Sequence, residues 1–302
     1  MTSAREQVRR LPAEPGVYRF RDDVGRVMYS GRATSLRGRV GSYFGDIRDR
    51  PHLVRMVSRI GRVEALVCAS VHEACWLERN LHARSLPRWN RAAAGQEVPH
   101  YVRIDLSATT PAVTAVHRPD PQGGLLFGPF LGGWKVRTAL SGLHRVLPLS
   151  YTGTRMPASQ HGLAEIRLVS PTDRDRLLHE LTAVLGRDPA AVVRTEALLV
   201  ALRDEASSEQ RYEQAKRIQD EIACIAWITA EQRMASLEPV DATVAGWCDG
   251  LLLRLEIRSG LLDGWRQVTC TKATAERHLS ATPPAWTDFA AVNAELAARL
   301  RG

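Results

Sequence analysis

The chain has 302 residues, is 44% hydrophobic and 25% charged, and carries a formal net charge of +8 with a pI near 9.6. That length exceeds one small core and suits two or three domains, while a charge carried mainly by arginine favours a polyanionic partner, of which nucleic acid is the usual one. No run of about 18 apolar residues occurs, and the N-terminal MTSAREQVRRLPAEPG holds no apolar signal segment. Neither a membrane span nor a secretory leader is therefore expected, and the expected location is the cytoplasm, on the nucleoid. Cys68, Cys75, Cys224, Cys248 and Cys270 form no CxxC pair and no zinc-finger spacing with histidine, so they read as reduced, mostly buried thiols.

In chain order, Thr2 to Arg10 reads as a short helix broken by Pro12 and Pro15. Two strands follow, Gly16 to Phe20 and Arg26 to Ser30, joined by the polar turn Asp22-Asp23-Val24-Gly25. Thr34 or Ser35 can cap a helix running to about Phe44, with Arg39 on its second turn. Pro51 to Gly61 predicts another short helix, and the apolar VEALVCAS (Val63 to Ser70) a central strand of the same sheet. A helix then runs to before Pro87, with Leu77 and Leu81 on one face and Glu78 inside it.

From Gln96 to Arg145 a separate α/β piece is expected: HYVRIDLS and PAVTAVHR are strand-like, Gln122-Gly123-Gly124 is a turn, and LFGPFLGGWKVRTALSGLHRVLPL leads from a Gly-rich loop into a helix. Tyr151 to Gly162 reads as an irregular linker. Helices follow over Thr172 to Gly186, Asp188 to Ala206 and Gln210 to Leu237, the last two forming a hairpin around Ser207-Ser208. After Pro239 the turn dipeptides Asp249-Gly250 and Ser259-Gly260 space out a β-meander, and Asp288 to Arg301 closes as an Ala-rich helix.

The hairpin brings together Tyr18 and Tyr29, each beside a glycine, with Arg32 and Arg39 just beyond. Phenols hold water or shuttle protons, and guanidiniums clamp phosphate in a fork. Taken singly, a tyrosine on a strand is usually packing and a helical glutamate is usually solvated. Their ordered combination resembles the GIY-YIG nuclease domain of the UvrC/Cho type: Gly16-Val17-Tyr18 and Tyr29-Ser30-Gly31 stand for the two triplets. Leu11-Pro12 and Pro15 precede them; Arg32-Ala33, Leu36, Arg39 and Tyr43-Phe44 follow. Glu78 stands in Trp76-Leu77-Glu78-Arg79-Asn80, and Asn90 ends Pro87-Arg88-Trp89-Asn90. Three positions depart from the pattern: Val17 for isoleucine, Ser30 in the second triplet, and Arg32 where lysine is usual.

The resemblance implies an endonuclease. Glu78 would hold one Mg²⁺ or Mn²⁺ with its waters, Arg32 and Arg39 would neutralise charge on the phosphate, Tyr18 would activate water, Tyr29 would position water or phosphate, and Asn90 would pin its loop. Glu78 is thus both catalytic and metal-binding, and His82, four residues on, is expected at the surface rather than on the metal.

Phe127-Gly128-Pro129-Phe130, Val136-Arg137 and Leu147-Pro148-Leu149 resemble the UvrC segment after its nuclease domain, where a cysteine cluster can hold an iron–sulfur centre. Here TGTRMPASQHGLAEI contains no cysteine, so no cluster is expected. Residues 212–222 resemble the UVR motif, implying contact with UvrB through Tyr212, Ala215, Ile218 and Ile222; the alternative is an ordinary helical hairpin burying that stripe internally. The meander resembles the first strands of an RNase H-like domain, too short here for that domain's own catalytic residues.

The fold class expected is α/β: an N-terminal GIY-YIG domain (1–95) with a small mixed sheet and flanking helices, an α/β linker region without a cysteine cluster (96–160), a helical region with the UVR-like hairpin (161–238), and a β-meander plus helix as a truncated RNase H-like remnant (239–302). The expected function is a single incision of DNA beside damage or distortion, as in nucleotide excision repair. Two rivals are a non-catalytic DNA- or UvrB-binding accessory and a nuclease for branched or crosslinked DNA independent of UvrB.

Overall fold

In a computed structural model, the residues described are 3–45, 47, 51–91, 98–120 and 124–301, with 51 and 52 in backbone only. They divide into two units, Met1–Gln96 with Gln232–Gly302, and Glu97–Glu231. This grouping differs from the four pieces expected above: the C-terminal piece joins the N-terminal one, and the two middle pieces share one core.

In the first unit, helix α1 (Ala4–Arg9) starts at a capping box in which Ser3 and Glu6 satisfy each other's backbone N–H. Strands β1 (Gly16–Arg21) and β2 (Val27–Ala33) form the expected hairpin, with Tyr18 opposite Gly31 and Phe20 opposite Tyr29. Asp22 holds its turn by accepting from the Arg26 backbone N–H at 2.8 Å. Helix α2 (Leu36–Gly41) is capped by Ser35 and stops short of Phe44; α3 spans Pro51–Val57. Strand β3 (Arg62–Val67) leads to α4 (Val71–Arg84), where the Ser70 hydroxyl accepts from the Glu73 N–H.

The sheet order is β2-β1-β3 and every pair is antiparallel. This corrects two expectations: the sheet is not mixed, and β3 lies at an edge, with β1 central. The apolar character that made β3 read as central has another source, described below. Because side chains alternate along β1, Tyr18 and Phe20 enter one core with Leu11, Leu36, Val40 and Met56, while Arg19 and Arg21 face the opposite side.

The second unit contains β4 (His100–Asp105), β5 (Ala112–Val116) and β6 (Leu125–Phe130) in the antiparallel order β5-β4-β6. Of the turn expected before β6, Gln122 and Gly123 lie outside the described residues, as does the expected start at Gln96. Helices α5 (Gly133–Val146), α6 (Ala158–Ile166), α7 (Arg174–Leu185), α8 (Pro189–Ser208) and α9 (Tyr212–Thr229) follow. The stretch expected as an irregular linker thus includes most of α6, and α9 ends eight residues before Leu237. Asp188 caps α8 and Pro189 occupies its first turn.

Helices α5 and α9 pack closely because Gly142 has no side chain: a Cβ there would lie 2.9 Å from Glu221 Cβ. Buried Glu221 then accepts from Ser141 Oγ at 2.7 Å and from Arg145 Nε and Nη2 at 2.8 Å each. The α9 stripe faces this core. Ile218 is 0% exposed beside Ile225, Leu143 and Leu199; Ala215 and Ile222 are half-buried, and only Tyr212 is open, at 66%. The expectation that Ile218 meets a partner is therefore corrected: its side chain is used up in internal packing.

The C-terminal part of the first unit is a meander of β7 (Ala242–Cys248), β8 (Leu251–Arg258) and β9 (Leu261–Thr269), followed by α10 (Lys272–Leu279) and α11 (Thr287–Arg301). Helix α11 sends Leu296 and Leu300 into the core that holds Tyr18 and Phe20. Its Asn293 accepts from the Val67 N–H at 2.7 Å and donates to the Val67 carbonyl at 3.2 Å, closing the outer edge of β3. An edge strand thus becomes as buried as a central one.

Candidate active site

Tyr18, Tyr29, Arg32, Arg39 and Glu78 line one open pocket of about 400 Å³, together with Gly31, Ala33, Thr34 and Val71. Tyr18 comes from β1, Tyr29 and Arg32 from β2, Arg39 from α2 and Glu78 from α4. The pocket exists because Gly31 sits opposite Tyr18: a Cβ at Gly31 would lie 2.7 Å from the Tyr18 hydroxyl, so glycine lets that phenol reach across β2.

The phenols form a directed chain. Tyr43 Oη donates to Tyr29 Oη at 3.2 Å and lies 2.9 Å from Tyr18 Oη. A phenol has one proton, so with Tyr43 donating to Tyr29 it is Tyr18 that donates to Tyr43. Burial pushes the Tyr18 phenol well above its ordinary value, and the neighbouring Tyr43 and Tyr29 push it further. Burial and the bond from Tyr43 raise Tyr29 as well. Tyr18 and Tyr29 therefore act as neutral hydroxyls at neutral pH. Tyr43, the link between the other two, was not among the expected site residues. Its signal is its position four residues after Arg39, whose guanidinium lies 5.3 Å over the Tyr43 ring. Burial pulls the Arg39 guanidinium down, but Tyr43 and Tyr18 hold it above its ordinary value, so it stays charged.

Glu78 is 8% exposed. Its Oε1 accepts from the Arg32 backbone N–H at 3.2 Å, and its Oε2 lies 3.5 Å from Arg32 Nη1, a guanidinium whose side chain is 46% exposed. Burial raises the carboxyl above 4.5, with Arg32 and Arg39 offsetting part of the shift. A single buried carboxylate facing an open pocket fits a hard divalent cation that keeps most of its waters. Among the described residues no group of three or more His, Cys, Asp or Glu is placed to hold a metal.

Asn90 closes the outer edge of β2, accepting from the Ser30 N–H at 3.1 Å and donating to the Ser30 carbonyl at 2.8 Å. Ser30 Oγ in turn lies 2.8 Å from Nε2 of His82. His82 is therefore buried and structural rather than at the surface, and burial lowers its pKa. The unusual serine of the second triplet is matched by the histidine one turn beyond Glu78. Tyr212, Ala215, Ile218 and Ile222 belong to the second unit and form no part of this pocket.

Residues 14–91 match the family model described as the UvrC-like GIY-YIG domain. The chain carries a UvrC-like GIY-YIG domain. The UvrABC system protein C of Geobacter metallireducens is 30% identical over 272 residues, covering 85% of this chain and 44% of that protein. The Rhodococcus jostii protein of the same name is 28% identical over 283 residues, covering 87% and 38%. The chain thus spans less than half the length of these relatives. Among solved structures, the magnesium-bound GIY-YIG N-terminal endonuclease domain of UvrC from Thermotoga maritima is 31% identical, with a TM-score of 0.27, covering 30% of this chain and 99% of that one. The sequence match to UvrC proteins runs well past the GIY-YIG domain, over most of the chain.

Proposed function

We propose that this protein is a divalent-metal-dependent DNA endonuclease that makes a single incision beside damaged or distorted DNA. The observation that carries this reading is the convergence of Glu78, two guanidiniums and three linked phenols on one open pocket, within a UvrC-like GIY-YIG domain. Glu78 would hold Mg²⁺ or Mn²⁺, which when bound supplies charge stabilisation to the phosphate and the leaving oxygen. Arg32 gives up its long contact with Glu78 and, with Arg39, pairs the phosphate oxygens. Tyr18 accepts a hydrogen bond from the attacking water while its own proton rests on Tyr43, so it orients water as a neutral hydroxyl, not as a phenolate. Tyr29 would position water or phosphate in the pocket through its hydroxyl. Asn90 keeps β2 in register beneath these groups.

No iron–sulfur centre is included in the proposal, because the stretch 152–166 offers no thiolate. The substrate would be chromosomal DNA in the cytoplasm, held through salt-sensitive phosphate contacts. UvrB is the proposed partner by likeness to UvrC. On α9 its contact would have to use the open Tyr212 and the partly exposed Ala215 and Ile222, since Ile218 is internal. The experiment is incision of a labelled duplex carrying one bulky lesion, with Mg²⁺ or Mn²⁺, by the wild type and Glu78→Ala, each with and without UvrB. Metal-dependent cleavage lost in Glu78→Ala is the expected result. Cleavage only with UvrB places the reaction in excision repair; cleavage without it indicates an autonomous nuclease. Metal-independent cleavage, or none in any wild-type reaction, overturns the reading.

A further inference from the structure

Helix α4 carries Glu78, yet it is buried almost all round and packs on two unlike partners. With 100° between successive residues, Glu73, Asn80 and Arg84 lie within about 40° of one another, while Glu78 and His82 lie about 160° away on the opposite side. The Glu78 side meets β2, through Glu78 with Arg32 and His82 with Ser30. The other side meets the chain after residue 231 at three levels. Buried Glu73 accepts from the Arg233 N–H at 3.1 Å and pairs with its Nε at 3.0 Å. Asn80 Nδ2 donates to the carbonyls of Met234 at 2.8 Å and Leu262 at 3.1 Å. Arg84 Nη1 reaches Glu256 and Asp263 at 3.0 Å each.

The middle level is the most specific. Met234 and Leu262 are themselves joined, the Leu262 N–H donating to the Met234 carbonyl at 3.0 Å. Asn80 therefore ties α4 to a point where the meander and the segment entering it already meet. It stands two residues from Glu78, is 3% exposed, and points away from the pocket. Such a group has no direct access to a phosphate.

We infer that Asn80 is a positioning residue for the metal-binding carboxylate, and that residues 232–301 serve as the far jaw of a clamp whose near jaw is β2. The inference rests on the reading that Glu78 forms the nuclease site. A clamped helix holds its carboxylate in place without motion when DNA arrives, and a misplacement of about 1 Å in such a site costs on the order of 10²-fold in rate. The meander, whatever its origin, is then a working part of the N-terminal site.

The test uses the full chain with Asn80→Ala and Arg84→Gln, measuring single-turnover cleavage, KM for the lesion duplex and Mn²⁺ binding by calorimetry. For Asn80→Ala the expected result is a rate about 30-fold lower with KM unchanged and Mn²⁺ binding weakened; Arg84→Gln, at the solvent-facing end, shifts the same quantities about threefold. A merely structural role lowers the melting temperature of both variants and leaves the folded molecules' rate and Mn²⁺ affinity at wild-type values, which overturns the inference. If Asn80→Ala does not fold, Arg84→Gln decides alone. If the wild type cuts no DNA, the nuclease reading fails separately, and the Mn²⁺ isotherms decide: weaker binding in the variants upholds the clamp, whereas equal binding, or none by the wild type, overturns it.

Discussion

The pocket and the cluster around Glu64 hold charge in opposite ways. In the pocket Arg39 is exposed, and the Arg32 guanidinium makes only a 3.5 Å contact with Glu78. In the cluster, Glu64 is 2% exposed and gathers Arg62 Nη2 at 2.5 Å, Arg21 Nε at 2.9 Å and Arg19 Nη2 at 3.2 Å. Arg19 is also stacked 3.3 Å over the Trp265 ring and donates to the Trp265 carbonyl. Burial brings the Arg19 guanidinium down to about 9, with Glu64 opposing the shift and keeping it charged. A single strand, β1, supplies Tyr18 to the pocket and Arg19 to the cluster. Charges that are loosely paired and reachable are free to meet a phosphate, whereas charges that are saturated and covered hold two parts of a fold together.

That contrast predicts which substitutions separate activity from stability. Glu78→Ala should lower cleavage roughly 10³-fold, about 4 kcal/mol of transition-state stabilisation, while the urea midpoint moves little. A large loss of stability in this variant would give Glu78 a structural role like that of Glu64. Glu64→Ala should behave in reverse. It leaves three guanidiniums crowded without their anion and should cost about 3 kcal/mol of stability, with cleavage per folded molecule unchanged. Urea denaturation followed by tryptophan fluorescence reads the first effect, and cleavage normalised to folded protein reads the second.

Tyr43→Phe probes the phenol chain between these extremes. It keeps the ring and its packing against Tyr18, Phe20 and Tyr29 but removes the hydroxyl that receives the Tyr18 proton and feeds Tyr29. The expected loss is about tenfold in rate, near the worth of one or two neutral hydrogen bonds, with about 1 kcal/mol in stability. An unchanged rate would mean that the chain only packs the core.

The hairpin, the start of α2 and α4 were legible in the sequence because their signals are local: a D-D-x-G turn, the Ser35 cap, and Leu77 and Leu81 one turn apart ahead of Pro87. Glu78, Arg32, Arg39 and the two triplet tyrosines were legible through their order. What was not legible depends on distant partners. Strand β3 reads as central because it is apolar on both sides, but one of its neighbours is Asn293 on a helix 226 residues away. Tyr43 reads as one more aromatic until the hydroxyl of Tyr18 is found 2.9 Å from it. His82 reads as a surface residue until Ser30 is placed beside it. The α9 stripe was legible as a period; the core that absorbs Ile218 was not, since the facing helix is marked only by Gly142. Periodicity states that a face is covered and leaves open what covers it.

The pocket and the cluster should also part company as pH falls. Glu78 and Glu64 start from the same ordinary value of 4.5 and are displaced in opposite directions. Burial raises Glu78, so its carboxylate is protonated on descending through a pH above 4.5, and with it the capacity to hold a cation. Burial also acts to raise Glu64, but Arg19, Arg21 and Arg62 outweigh it and leave the folded value below 4.5. The stabilisation from Glu64 is then fully present above its unfolded value and is lost only as pH falls through the lower folded one. Mn²⁺ affinity measured against pH should therefore decline while the urea midpoint still holds the share that Glu64 contributes. Glu64→Ala should flatten the acid limb of the stability curve and leave the Mn²⁺ curve where it was. If the two wild-type curves instead fall together, protonation of Glu78 is coupled to unfolding, and the separation of pocket from cluster, reachable charge in one and saturated charge in the other, does not hold.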